Sequence, residues 1–596
     1  MSPENIVFAP VLLPLIGSAF AYCSKAFFRG RTSTTVEYIG VFIGLALPWA
    51  VFLYTAPFVF AGQSIEGVIG NWYSGIGIRF QFDGLAWLVN ILGFSVGGAS
   101  WIYSLSAGPR GPVFSAVFLI QTAALAAAIM TADLFNLFVC LEILGIASYV
   151  LIASSQKAGS ALASFSYLMV SAAAMVFLLV GLYGLYRLTG KLSYEGIAAG
   201  LKALPDGGGT AAVVSFALIV AAVAIRVAVM PLYGWLPDAH ALAPHAISAV
   251  LSGVLIKTPL FALSRIMLIV PKGGSAGRLL GYAGAATALV AVVIALSQKD
   301  AKRLLAYHSV SQIGYVVGAW GSAIHAGVHT PAGVLLMSAA FLHAFYHALF
   351  KGLLFLSVGS AIDSSGERNV YVLRRAGKYL SGAGERLPVT LVCFAIGALA
   401  ISAVPPFNGY ASKTAVTYAL KGSVHYYLLT AAAVGTVASF IKLSRIFWPE
   451  RKRGGKRSAP APAARDTGGA VSAASRRTGV SPPPGGGRLP LTLSMGFLGL
   501  LCIAGGAAAS RIFFFVYRLL GGEAGAAGAA APVFFSADNL LKTLYITAGG
   551  VVLFFAAVSR PGSKVLKLVR ERPRNFQGLF VSFSLGVAVL VLWLLQ

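Results

Sequence analysis

The stretch IRVAVMPLYGWLPDAHALAPHAISAVLSGVLIK, residues 225–257, places Arg226, then Pro231 and Pro237, and finally Lys257 inside apolar sequence. Proline removes a backbone donor and clashes with the preceding turn, so a helix here must break and expose backbone polar groups. At membrane depth such a break survives only against protein or a wet cavity. A second stretch, ISAVPPFNGYASKTAV at 401–416, repeats the arrangement with Pro405 and Pro406. A cation accompanies each break: Arg226 precedes Pro231, and Lys413 follows Pro406. Broken helices at corresponding places in two halves of a chain point to a transporter built from inverted repeats.

Composition makes the surroundings a membrane. The mean hydropathy is +0.81, with 58% apolar and 11% charged residues, far outside the soluble range. Runs of about 20 apolar residues give roughly sixteen spans, which sets the fold class as an all-α polytopic membrane protein. Their expected centres lie near residues 14, 46, 94, 121, 144, 175, 223, 257, 288, 312, 348, 404, 436, 499, 550 and 586. Little soluble sequence is left for a separate catalytic domain. The first run, after Met1-Ser2-Pro3-Glu4, lacks a basic flank and a small-residue cleavage site and reads as a retained span.

The net charge of +27 would suggest a nucleic-acid partner in a soluble protein; here its placement explains it, and no nucleic acid is expected. Loops after odd-numbered spans hold about 30 Lys and Arg against about 10 in the even loops, which puts the odd loops in the cytoplasm and both termini outside a cytoplasmic membrane. These loops include Lys25, Arg29 and Arg31; Lys299, Lys302 and Arg303; Arg368, Arg374, Arg375 and Lys378; the tract 442–488; and 560–574. Cys23, Cys140, Cys393 and Cys502 are isolated, without the spacing of a zinc or iron-sulfur site, so no metal or cofactor is expected.

The chain divides into N-terminal helices (1–110), a translocating core (111–450), a Pro-, Gly- and Arg-rich linker (451–488) and a C-terminal tail (489–596). The linker cannot bury enough apolar area to fold and reads as disordered and cytoplasmic, either merely solvated or in contact with anionic lipid or a partner. The tail carries almost no intramembrane charge, which suits a structural or docking role, and 505–534 reads as an interfacial or external connection.

Charges inside bilayer-spanning sequence are costly and mark ion paths. Glu142, nine residues beyond Asp133, lies about 13 Å into its span and is expected to be neutral unless a cation is close, for which Arg226 is the natural candidate; a plain helix–helix contact is the alternative. Lys257 is mid-span, and Lys413 lies by the second break, either as relay members or, more easily for Lys413, as a snorkelling side chain. His343, His347 and Lys351 recur at i, i+4 and i+8 and share one helix face. With no Cys or carboxylate partner at suitable spacing, they read as a proton or water wire rather than a metal site, the alternative being histidines that merely hydrogen-bond neighbouring helices. His245 after Pro244 is placed to link the lysine regions, and Asp238 is a further auxiliary polar group.

Five segments in order, DLFNLFVCLEI (133–143), the 225–257 stretch, DAKRLLAYHSVSQIGY (300–315), HAFYHALFKGLLFL (343–356) and PPFNGYASK (405–413), resemble the antiporter-like subunits of respiratory complex I, membrane-bound hydrogenases and Mrp-type sodium/proton antiporters, with the D-type Mrp subunit nearest in motif. The resemblance covers roughly residues 80–445. It implies a fourteen-helix core with two inverted five-helix repeats, spans 4 to 8 and 9 to 13, and a central polar axis for protons or sodium, within a complex of other membrane subunits. By motif, Glu142 matches the family's glutamate, Lys257 its central lysine and Lys413 the lysine of the second broken helix. Arg226 stands where the family usually has lysine, and a guanidinium does not give up its proton. Arg226 is therefore expected to act as a fixed counter-ion, with Lys257 carrying the exchangeable proton and passing it to His347, Lys351 and Lys413. Two helices beyond the family core are expected at the C-terminus. No phosphate-binding loop or redox motif is present, so the energy is expected from an ion gradient or an electron-transferring partner. The expected function is that of a subunit moving protons, with exchange for sodium as one form; a proton-pumping subunit of a quinone-reducing or hydrogen-evolving complex, a self-sufficient solute transporter and a scaffold that has lost transport remain as rivals.

Overall fold

The computed structural model describes residues 6–69, 77–267, 274–450, 488–522 and 532–571. The linker 451–487 and the span expected near residue 586 lie outside them. Among the described residues, 13 helices are long and apolar enough to cross a membrane.

Helix α1 (Ala9–Phe27) turns into α2 (Gly30–Val41), which runs through a π-turn at Phe42–Ala46 into α3 (Pro48–Phe60). A short antiparallel hairpin, β1 (Ile65–Val68) with β2 (Arg79–Phe82), leads to α4 (Gly84–Ser104). The first repeat follows as α5 (Pro112–Met130), α6 (Leu134–Ala153), α7 (Ser160–Thr189), the connecting α8 (Tyr194–Ala203), α9 (Gly209–Arg226), α10 (Leu236–Leu242), α11 (His245–Gly253) and α12 (Thr258–Met267). The second comprises α13 (Gly274–Ser297), α14 (Ala301–Ala326), α15 (Pro331–Ser365), α16 (Ala376–Gly382), α17 (Val389–Ile401), α18 (Asn408–Ala419) and α19 (Val424–Ser444). The tail adds α20 (Leu489–Ala507), α21 (Ala509–Leu519), α22 (Ala537–Val558) and α23 (Arg560–Glu571).

The two repeats share backbone detail. In the first, the Leu134 N–H donates to the Leu192 carbonyl and the Tyr194 N–H to that of Ala132; in the second, Ala301 donates to Arg368 and Val370 to Lys299. Each joint is preceded by an aspartate N-cap, Asp133 for α6 and Asp300 for α14, a short acceptor for otherwise orphaned helix N–H groups. Lys157, just past the far end of α6, lies near Asp300, Asp363 and Arg368, so the two joints sit at opposite ends of the bundle. That is the geometry of an inverted repeat.

The breaks match as well. AVMPLYGW at 228–235 and AVPPFNGY at 403–410 follow one pattern, and Ala228 and Ala403 both have φ of 59°. Val229 N–H bonds Ala224 O and Val404 N–H bonds Leu399 O, each at 3.0 Å. Left-handed backbone costs an alanine about 1 kcal/mol, which the surrounding protein must offset.

Two expected spans take another form. The one near 404 is the broken pair α17 and α18, each half shorter than a full crossing. The one near 312 is α14, whose 26 residues are almost wholly buried by neighbouring helices, so it carries His308, Ser309, Ser311 and Gln312 without meeting lipid. Tight packing achieves this: α13 and α14 meet through glycines, and a Cβ on Gly314 would lie 2.4 Å from the Ala288 nitrogen. The tail helix α20 is equally close to the second break, with Tyr346 Oη donating to Gly505 O at 2.7 Å. A Cβ on Gly506 would meet the Pro406 carbonyl at 1.9 Å. Helix α21 lies at the hairpin end, where Phe515 packs on Phe60 and Trp87.

Candidate ion-translocation axis

The centre of the molecule is α11, α12 and α15, buried over almost their whole length. Helix α11 stops at Val254, and a single 3₁₀ turn, Leu255–Lys257, leads into α12. Lys257 has no exposure and donates to the carbonyls freed by that interruption, Ser252 O at 2.8 Å and Gly253 O. On α15, His343, His347 and Lys351 are all fully buried, as their shared face requires. The two imidazoles lie nearly parallel, 6.3 Å between centroids and 13° apart in plane. His343 Nδ1 pairs with Ser412 Oγ at 3.0 Å, and Lys351 donates to Leu305 O on α14. Lys413 donates to Ile401 O at 2.7 Å, the carbonyl end of the broken α17, and stands 4.9 Å over the Tyr315 ring. It is 4% exposed, a buried residue rather than one reaching for the interface.

Electrostatic proximity joins these groups. Lys257 is near His343, His347 and Lys351, and Lys413 is near His343 and His347. Both ring nitrogens of His347 lack a protein partner among the described residues, as do those of His240 and His308. Buried imidazole nitrogens seek partners, so these rings suit a path that water can occupy.

The Glu142 end is arranged differently from the expected ion pair. Arg226, 4% exposed at the end of α9, donates to Ser171 Oγ at 2.7 Å and to Leu141 O at 3.0 Å. Glu142 is partly exposed and lies within electrostatic reach of Arg226, but among the described residues no ion pair within 4.0 Å joins them. Nor does a described contact join Arg226 to Lys257; the lysine near Lys257 is Lys351 on α15.

Pro231 lies within the turn between α9 and α10 and Pro237 in the first turn of α10, while Pro405 and Pro406 lie within the turn between α17 and α18. His245 Nε2 pairs with Asp363 Oδ1 at 3.0 Å at the basic end of the bundle, beside Lys302. Asp238 is half exposed and pairs with Arg303, away from the axis.

Four buried groups escaped the sequence reading as site candidates. Lys302, counted with the loop cations, is fully buried in the first turn of α14 and donates to Ala243 O at 2.6 Å. Lys442, counted with the basic tract, donates to Leu296 O and Gln298 O and lies 4.9 Å over the Tyr371 ring. His240 is near Lys257, Lys302 and Lys351, and His308 near Lys351, Lys413 and Lys442. Position inside a helix-capped segment was the available signal for Lys302, because Asp300 marks the helix start. Every one of these lysines is held by main-chain carbonyls, and among the described residues no carboxylate is bonded to any of them. Among the described residues no cluster of three His, Cys, Asp or Glu is arranged to hold a metal ion.

Fold and site together define a polytopic membrane protein of two inverted five-helix repeats around a buried basic axis. Residues 131–442 match the family described as NADH:quinone oxidoreductase/Mrp antiporter, TM, and the chain belongs to it. It is 32% identical to the N subunit of the NADH-quinone oxidoreductase of Desulforudis audaxviator, over 69% of this chain and 78% of the relative. It is 28% identical to the D subunit of the Na(+)/H(+) antiporter of Alkalihalophilus pseudofirmus, over 75% and 88%. The fold matches a chain of the Mrp complex from a Dietzia species with a TM-score of 0.72 at 24% identity, covering 91% of this chain and 100% of that one.

Proposed function

We propose that this chain is the proton-translocating subunit of a multi-subunit complex, working with other membrane subunits in a cytoplasmic membrane with its basic-loop end on the cytoplasmic side. Residues 111–450 are the translocating core. Protons move among Lys257, His347, His343, Lys351 and Lys413, while Glu142 and the fixed charge of Arg226 bias the path from one side. The observation that carries this reading is the fully buried run of lysine and imidazole through the centre, bonded to carbonyls and a serine hydroxyl. Such groups give up and take protons without a counter-anion to trap them, and a second positive charge repels the first. At an effective dielectric near 20, unit charges about 4 Å apart repel by about 4 kcal/mol, enough to drive a transfer.

Exchange of protons for sodium is the leading form, in line with the antiporter relative. Pumping coupled to a redox partner is the second, favoured by the higher identity to the quinone oxidoreductase relative. The test reconstitutes the co-purified complex in liposomes and follows the pH gradient with and without sodium, and with redox substrate, for wild type, Lys257→Ala and Glu142→Ala. Sodium-dependent proton movement lost in both variants supports exchange; movement that requires the redox substrate supports pumping. Variants that match wild type, or an intact complex that moves no protons, leave the chain a scaffold and overturn the proposal.

A further inference from the structure

The N-terminal helices hold a cavity that the axis does not use. It has a volume of about 230 Å³ and lies between α2 and the connection from α4 to α5, at the basic end of the bundle. Thr34, Glu37, Tyr38, Trp101, Ser104 and Arg110 line it. Glu37 is only 5% exposed, yet no cation lies within 4 Å of it among the described residues. Its Oε1 accepts from Ser115 Oγ at 2.7 Å, and the Ser115 oxygen in turn accepts from Trp101 Nε1 at 3.2 Å. The Trp101 and Tyr38 rings stand edge to face, 5.8 Å apart. Arg110 is exposed, and its guanidinium donates to the Leu105 carbonyl at 3.3 Å.

A buried carboxylate without a counter-ion is costly, so the cavity favours a cationic guest. Aromatic rings beside a carboxylate suit an ammonium, and an exposed arginine at the rim suits a phosphate. A bare calcium or magnesium ion fits poorly, because it needs six or more oxygen ligands closing around it and a single carboxylate lines the space. A trimethylammonium group cannot donate a hydrogen bond to Glu37. An ammonium joined to a phosphodiester at the membrane rim satisfies every feature.

We propose that this cavity binds the headgroup of phosphatidylethanolamine, with the ammonium on Glu37 beside Tyr38 and Trp101 and the phosphate on Arg110. The complex containing the full chain is purified, delipidated, and offered phosphatidylethanolamine, phosphatidylcholine and phosphatidylglycerol in equal amounts, and retained lipid is read by native mass spectrometry. Wild type is expected to retain phosphatidylethanolamine selectively. Glu37→Gln, which keeps the shape and the Ser115 bond, is expected to lower that retention roughly tenfold, the scale of one charge-assisted contact. Trp101→Leu serves in the same way if Glu37→Gln does not assemble. Retention unchanged in the assembled variant, or phosphatidylglycerol or phosphatidylcholine held as well as phosphatidylethanolamine, overturns the proposal.

Discussion

Replacing Arg226 by glutamine or lysine separates its charge from its hydrogen bonds. The guanidinium makes two bonds, to Ser171 Oγ and Leu141 O, and stands beyond 4.0 Å from the Glu142 carboxylate. Two unit charges about 6 Å apart at an effective dielectric near 20 attract by about 3 kcal/mol, or roughly a hundredfold in an equilibrium or a rate, which sets the scale for Arg226 acting on Glu142. Arg226→Gln keeps a donor for one partner and loses that attraction. Proton movement by the reconstituted complex is expected to fall by about a hundredfold if the charge sets the path. Arg226→Lys keeps the charge and sacrifices one donor, a cost of about 1 to 3 kcal/mol in stability, and is expected to stay within about tenfold of wild type. Co-purification with the partner subunits shows that both variants assemble, and the initial rate of pH-gradient change gives the readout. Arg226→Gln moving protons like wild type would refute the reasoning, as would Arg226→Lys proving as inactive as Arg226→Gln.

Two further outcomes follow from the packing. If the path extends past Lys351 through His240 to the buried amine of Lys302, Lys302→Met, which fills the same volume without the amine, is expected to slow proton movement about tenfold or more, whereas Arg303→Met, at an exposed ion pair one residue away, leaves the rate unchanged; equal rates for both in the liposome assay would end the path at Lys351. Gly314→Ala pushes a methyl to within 2.4 Å of the Ala288 backbone and is expected to cost about 1 to 3 kcal/mol, seen as a lower yield of assembled complex and a lower melting temperature; a yield and melting temperature equal to wild type would show that α13 and α14 separate freely.

Much of this arrangement was legible in the sequence because charge and proline inside apolar runs are rare and costly. Lys257, His343, His347, Lys351 and Lys413 stood out for that reason, and the two proline-marked turns located both breaks. Helix α14 shows where the signal fades. Hydropathy reports composition, not what a helix faces, and a helix enclosed by protein can carry His308, Gln312 and three serines. Lys302 and Lys442 were hidden the same way, since a cation at the end of an apolar run looks like a loop charge until the neighbouring helices are seen to cover it. The matched joints at Asp133 and Asp300 are made by backbone groups, which no side-chain pattern encodes. The partners of Arg226 were out of reach too, because Ser171 and Leu141 lie 55 and 85 residues away along the chain.

The register of the two breaks gives the Arg226 departure a physical meaning. With Ala228 aligned to Ala403, Arg226 falls on Ile401 and Lys413 falls on Asp238. The second repeat nevertheless places a cation at the equivalent point, because Lys413 reaches back from beyond the break to the Ile401 carbonyl. Each half thus has one cationic side chain at the end of its first half-helix, a guanidinium in the first repeat and an amine in the second. On this reasoning the position of the amine matters more than the residue that carries it. Lys413→Ala is expected to stop proton movement. Adding Ile401→Lys, at a fully buried site on the first half-helix, supplies an amine from the other side of the break and is expected to restore part of the rate. The assay is the same pH-gradient measurement on assembled complex, with Ile401→Met in the Lys413→Ala background as the control for packing. Rescue by lysine and not by methionine supports a relay defined by place. No rescue in a complex that assembles normally would mean that Lys413 acts through contacts a relocated amine cannot make, its seat over Tyr315 foremost among them.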